Sequence, residues 1–79
     1  MIYSFEEFSI DVNMGREIEF FYNKTMYFIT HNKDECILLN TLDKSSQHFI
    51  NPEYMLKNAK IASKYLWELW DDIKIEYIY

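Results

Sequence analysis

The chain has 79 residues and a net charge of −5, from 13 acidic against 8 basic side chains, and 19% of it is aromatic. That bounds it to one domain over residues 1–79, whose thin stability margin rests on aromatic side chains able to bury about 150–250 Å² each. A single cysteine excludes an intramolecular disulfide framework. No stretch approaches the roughly 20 apolar residues of a membrane-spanning helix, and the acidic balance disfavours direct binding of nucleic acid, which rewards Lys and Arg.

The first eight residues hold neither a basic region nor an apolar run, so no secretory signal is expected and Cys36 is expected to be a reduced thiol in a cytoplasmic protein. Acids gather toward the two ends. Residues 1–20 carry Glu6, Glu7, Asp11, Glu17 and Glu19 against Arg16 alone; residues 61–79 carry Glu68, Asp71, Asp72 and Glu76 against Lys64 and Lys74.

Ser4-Phe5-Glu6-Glu7 has the form of a capping box, with Tyr3 and Phe8 at the positions of a hydrophobic staple. Phe5, Phe8 and Val12 share one face of the helix that follows, and Gly15 suits a left-handed exit from it. Residues 16–22 alternate, with Ile18, Phe20 and Tyr22 opposite Glu17, Glu19 and Phe21, which predicts a half-buried strand. A turn at 23–25 and a returning strand at 26–31 follow, then a turn at 32–35 and a third, apolar strand at 36–42, making an antiparallel meander. Residues 43–48 read as a polar loop. Asn51-Pro52-Glu53 opens a second helix to about Ala59, with Ile50 and Met55 placed as its staple. Ser63 is expected to cap a third helix over residues 64–71 or 64–72, with Tyr65, Leu66, Leu69 and Trp70 turned inward. The final stretch sets Ile73, Ile75, Tyr77 and Tyr79 against Lys74, Glu76 and Ile78, predicting a last strand. The expected fold is therefore α+β in the order α-β-β-β-α-α-β, with helices on one face of an antiparallel sheet of about four strands.

Few residues invite chemistry. Glu68 and Asp72 stand four apart, but lone carboxylate pairs are common on helix surfaces, and nothing else marks a catalytic or metal site. His31, Cys36 and His48 lack the four-ligand spacing of structural zinc, and a Cys36–His31 dyad is outweighed by the habit of free Cys to pack as a small hydrophobe. Ser45-Ser46-Gln47-His48 lacks the glycines of a nucleophile elbow. No catalytic residue, metal ligand or cofactor is expected, and the chain is read as a non-enzyme. Trp67 lies partly off the face shared by Leu66 and Trp70, and an aromatic beside acids is how an interaction hot spot is built. Glu17, Glu19, Trp67, Glu68, Asp71, Asp72 and Glu76 are thus the candidate partner-binding residues.

The segments G-R-E-I-E-F-F-Y-N (15–23), M-Y-F-I-T (26–30) and L-W-E-L-W-D-D-I-K-I-E-Y-I-Y (66–79) resemble small uncharacterised proteins of Firmicutes associated with mobile elements and prophages. In such proteins a glycine often tips the first hairpin; here Asn23-Lys24-Thr25 has none. The resemblance implies no catalytic residue. In size, acidity and lack of catalytic motifs the chain is also similar, as a class, to phage-borne inhibitors of host defence such as anti-CRISPR proteins. That implies a DNA-mimic-like binder of a basic protein, for instance an RNA-guided nuclease, with carboxylates occupying sites meant for phosphates. The alternative is a structural or immunity-type protein that pairs with itself or a cognate partner through the edge of its last strand.

Overall fold

A computed structural model describes residues 2–79. The architecture is α+β, as the hydrophobic periodicities imply. Helix α1 (Phe5–Asn13) leads into strands β1 (Ile18–Tyr22), β2 (Thr25–His31), β3 (Cys36–Asn40) and β4 (Ser46–Phe49). Helix α2 (Pro52–Asn58), a small hairpin of β5 (Lys60–Ile61) and β6 (Lys64–Tyr65), a 3₁₀ turn at Trp70–Asp72 and strand β7 (Ile73–Ile78) complete it. Among these residues the main sheet has five antiparallel strands in the order β4-β3-β2-β1-β7, so β7 returns to pair beside β1.

The helix starts follow the sequence. Glu7 N–H donates to Ser4 Oγ at 3.0 Å and the Glu7 carboxylate accepts from Ser4 N–H at 3.3 Å, closing the capping box. Tyr3 and Phe8 meet through Trp70, whose ring centroid lies 6.2 Å from Tyr3 and 4.7 Å from Phe8. Gly15 leaves the helix at φ +87°. Asn51 Oδ1 takes the Tyr54 N–H at 2.7 Å, with Pro52 in the first turn. The expected staple between Ile50 and Met55 does not form. Met55 is buried while Ile50 stands 74% exposed, and it is Phe49 that packs against the core, its ring centroid 6.3 Å from that of the exposed Tyr54.

Three further expectations are corrected. First, the stretch read as a polar loop over 43–48 contains most of β4, so the sheet has five strands rather than four. Its polarity is that of an edge. Ser46 and His48 are exposed, Phe49 reaches the core, and the Gln47 amide donates to Lys60 O at 2.7 Å and accepts from Lys60 N–H at 3.2 Å. Those two bonds tie β4 to the small hairpin.

Second, no α-helix forms over residues 64–72. Ala62 and Ser63 adopt left-handed φ of 54° and 67° and turn the chain between β5 and β6, so Ser63 is a hairpin residue rather than a cap. Bonds from Glu68 N–H to Tyr65 O, Leu69 N–H to Leu66 O and Asp72 N–H to Leu69 O then make successive three-residue turns. That spacing stacks Leu66 and Leu69, both buried, one above the other on the same side.

Third, the alternation of the last strand breaks. Glu19 pairs with Tyr77 but Phe20 with Ile75, so Glu76 is the extra residue of a β-bulge. Ile73, Ile75 and Ile78 consequently pack on the core, whereas Tyr77 and Tyr79 are 55% and 59% exposed.

The core lies between one face of the sheet and the layer formed by α1, α2 and the segment after β6. Phe8 and Val12 of α1, Met55 and Leu56 of α2, and Leu66 and Leu69 close over Ile18, Phe20, Ile29, Cys36 and Leu38. Cys36 is fully buried, and burial pushes its thiol up to about 11. Its alkylation is expected to be at least about 100-fold slower in the native protein than in urea, because the thiolate forms only on opening; equal rates would contradict the packing.

Asn23 and Lys24, at φ 49° and 66°, join β1 to β2 in a two-residue turn. The Asn suits such a turn; the Lys carries a Cβ into the left-handed region. Lys24→Gly is expected to raise stability by about 0.5–1 kcal/mol after the entropy cost of glycine, read as a higher urea midpoint.

Candidate interface on the open sheet face

The helices cover one face of the sheet and leave the other open. Strand pairing places three rows across this outer face. The middle row runs Ser46, Leu39, Phe28, Glu19, Tyr77. A second runs His48, Ile37, Thr30 and continues to Glu17, whose backbone oxygen accepts the Tyr79 N–H at 2.8 Å. The third joins Met26, Phe21 and Lys74. Phe21, Met26, Phe28, Ile37 and Leu39 are absent from the core cluster and are only partly buried. An antiparallel sheet with one solvated face ordinarily shows polar side chains there; here the centre is apolar.

One end of the face concentrates charge and aromatic rings. The Tyr79 hydroxyl donates to Glu19 Oε2 at 2.9 Å, and the Thr30 hydroxyl donates to the Glu17 carboxylate. Tyr77 and Tyr79 lie 4.5 Å apart, tilted by 43°, and Phe28 meets Tyr79 edge-on at 6.1 Å and 88°. Among the described residues neither Glu17 nor Glu19 has a basic side chain within salt-bridge distance.

Accepting the bond from Tyr79 makes Glu19 a reason for that phenol to stay protonated. The hydroxyl is pushed above its ordinary value of 10, first by this hydrogen bond, then by partial desolvation and by the Glu19 charge. The folded state therefore favours the neutral phenol, a contribution complete below the unfolded value and lost as pH rises through the folded one. Glu19→Gln is expected to bring the Tyr79 titration, followed by NMR of its ring, down toward 10; an unmoved titration would break the assigned bond.

The seven candidate residues do not make a single patch. Glu17 and Glu19 stand together on the open face, half-buried, and Glu76 is exposed at the bulge on the adjacent edge. Asp71 and Asp72 precede β7, so they lie about 15 Å along the strand from Tyr77. Trp67 and Glu68 sit above Leu66 and Leu69, on the layer that covers the inner face. Trp67 is 46% exposed and stacks on Tyr65 at 4.4 Å and 7°, with Lys60 Nζ 4.8 Å from the Tyr65 ring centre. Glu68, expected as part of a carboxylate pair on a helix surface, instead accepts the Tyr65 N–H at 2.9 Å and so holds the turn.

A further constellation joins Glu35 to Ser46 and His48. Glu35 Oε2 lies 2.7 Å from His48 Nδ1, and His48 Nε2 lies 2.9 Å from Ser46 Oγ. Hydrogen bonding from His48, then Asn32, holds the Glu35 carboxyl below its ordinary range. The order acid, imidazole, hydroxyl is that of a hydrolytic triad. Its members are spread on a solvated strand surface, with the Glu35 and His48 side chains 38% and 49% exposed. Preorganised stabilisation of a developing oxyanion needs a site that excludes water, so the row is best understood as a clasp between β4 and the turn before β3. The period-two pattern of Ser46 and His48 against Gln47 and Phe49 was its only trace in the sequence.

No helix is long and apolar enough to cross a membrane, and no group of three or more His, Cys, Asp or Glu among the described residues could hold a metal ion. Comparison with protein-family models, curated proteins and solved structures finds no match to this chain.

Proposed function

We propose that this chain is a non-enzymatic binding module that docks on a basic protein through the open face of its sheet. The observation that carries this reading is an apolar sheet centre, Phe21, Met26, Phe28, Ile37 and Leu39, bordered by the carboxylates of Glu17 and Glu19, which have no cationic partner among the described residues. A large apolar patch with a polar rim is the form of a protein interaction site. With a net charge of −5, the partner of best fit carries Lys and Arg around an apolar centre, a description that suits a nucleic-acid groove. In that setting the chain acts as an inhibitor of nucleic-acid-handling machinery, an RNA-guided nuclease being the example its mobile-element-like and anti-CRISPR-like character suggests. Glu76 extends the acidic rim along the edge; Asp71, Asp72, Trp67 and Glu68 are peripheral to it.

The test is affinity capture from a host lysate with the wild type and with a Phe28→Asp variant, the retained proteins being identified and then challenged with salt. A nucleic-acid-handling protein held by the wild type, lost with the variant and released by salt supports the reading. The same proteins retained by both would remove it.

The alternative, self-pairing through β7, is favoured by that strand's position at a sheet edge. The bulge at Glu76 and the charges of Lys74 and Glu76 oppose it, since bulges and charged side chains are how edges are kept from pairing. A salt-insensitive dimer in sedimentation would put this reading first.

A further inference from the structure

We infer that the aromatic and acidic end of the open face is a socket for one arginine of the docked partner, presented beside aliphatic side chains. The inference rests on the reading of that face as the working surface and specifies its chemistry.

The bulge supplies the first argument. Glu76 is an inserted residue, and its insertion lets Ile78 fill the core while Tyr77 and Tyr79 turn out beside Glu17 and Glu19. Straight alternation from Ile73 would have sent both tyrosines inward. Bulges re-aim side chains in this way where a surface is put to use.

The groups so assembled match a guanidinium in both of its modes. Tyr77, Tyr79 and Phe28 offer ring faces and edges within a few ångströms of one another, and a planar cation stacks on such faces. Tyr79 occupies one oxygen of Glu19, at Oε2, and Thr30 one oxygen of Glu17, also Oε2. The second oxygen of each has no hydrogen bond among the described residues. Those bonds fix the carboxylates without exhausting them, which is what a preorganised acceptor for a forked donor requires. Lysine, a compact and strongly hydrated point charge, would use the charge but not the plane.

Charge complementarity also argues against a second copy as the occupant. The chain contains one arginine, Arg16, since seven of its 8 basic residues are lysines. Arg16 Nε already lies 3.7 Å from Asp11 Oδ1. The aliphatic side chains expected to flank the partner's arginine would lie on Ile37 and Leu39, which continue the same rows across the sheet.

The experiment is an NMR titration of the full chain with a short amidated peptide alternating leucine and arginine, and with its lysine counterpart, at low and high salt. The arginine peptide is expected to shift the amides of Glu17, Glu19, Phe28, Tyr77 and Tyr79 and to bind about tenfold more tightly than the lysine peptide. Glu19→Gln and Tyr79→Ala should each weaken the arginine peptide by about tenfold. Tyr79→Phe, which keeps the ring face, should cost less than either and shows that the fold is intact. Equal binding of the two peptides, shifts centred on Asp71 and Asp72, or no shifts at all would overturn the socket. Shifts confined to Met26, Ile37 and Leu39, with no preference for arginine, would overturn it while leaving the open face as a docking surface. Concentration-dependent shifts over the same face without peptide would overturn it in favour of a second copy.

Discussion

Replacement of Trp70 by alanine is expected to cost about 3 kcal/mol, the lower end for removal of a large aromatic, since the side chain is packed but not fully enclosed. Trp70 joins the two ends of the domain. Its ring lies 4.7 Å from Phe8 and 5.3 Å from Phe5, edge-on to the latter, and its Nε1–H donates to Tyr3 O at 3.1 Å. Alanine would open a cavity beneath α1 and leave the Tyr3 carbonyl without that donor. In a domain of this size each kcal/mol corresponds to roughly 4–8 °C in melting temperature, so the fall should be plain in a thermal scan. Trp67→Ala removes an aromatic of equal size but should cost only about 0.5–1.5 kcal/mol, since its stack on Tyr65 lies at the surface. Equal losses from the two would mean that the 3₁₀ turn does not position Trp70 as described.

The second large effect is on recognition. Reversing Glu17 and Glu19 together to lysine is expected to weaken capture of a basic partner by on the order of 100-fold or more, because attraction at two adjacent points becomes repulsion. The loss should be greatest at low salt. Stability should fall by only about 1–2 kcal/mol, from the hydrogen bonds with Thr30 and Tyr79. Reversing Asp71 and Asp72, exposed at the other end of β7, should change both quantities far less. Unchanged capture after reversal at Glu17 and Glu19 would remove the acidic rim from the proposed function.

Local signals survived folding where a residue's duty is local. Ser4 with Glu7, and Asn51 with Pro52, mark helix starts because caps act within one turn of chain. The alternation over 18–22 marks β1 because its two faces meet different surroundings. The failures are mostly tertiary, although the local Ile50–Met55 staple also fails, because Ile50 stays exposed while Met55 is buried. Ser46-Gln47-His48 looks like a loop until β3 supplies a partner. Leu66, Leu69 and Trp70 suit a helix until Ala62 and Ser63 form a hairpin turn first. Tyr77 and Tyr79 shared a predicted face with Ile73 and Ile75 because no sequence period reveals one inserted residue. Of the candidate site, Glu17 and Glu19 were legible from alternation, but the tyrosines beside them could be placed there only by the bulge.

The return of β7 to β1 also sets an order of assembly. Strands β1 to β4 are joined by short turns, so each pairing closes only a small loop and forms quickly. The β1–β7 ladder instead brings together Tyr22 and Ile73, with three strands, α2 and the small hairpin between them. Its closing entropy must be met before its contacts reward it. Until then one side of β1 has no strand beside it, and α1 has no Trp70 beneath it. Side-chain deletions in β2 and β3 should therefore slow folding, while those in β7 and at Trp70 should chiefly speed unfolding. On that order the tyrosine end of the open face is expected to be completed last in folding and to open first in unfolding, which deletions at Tyr77 and Tyr79 that chiefly speed unfolding would bear out.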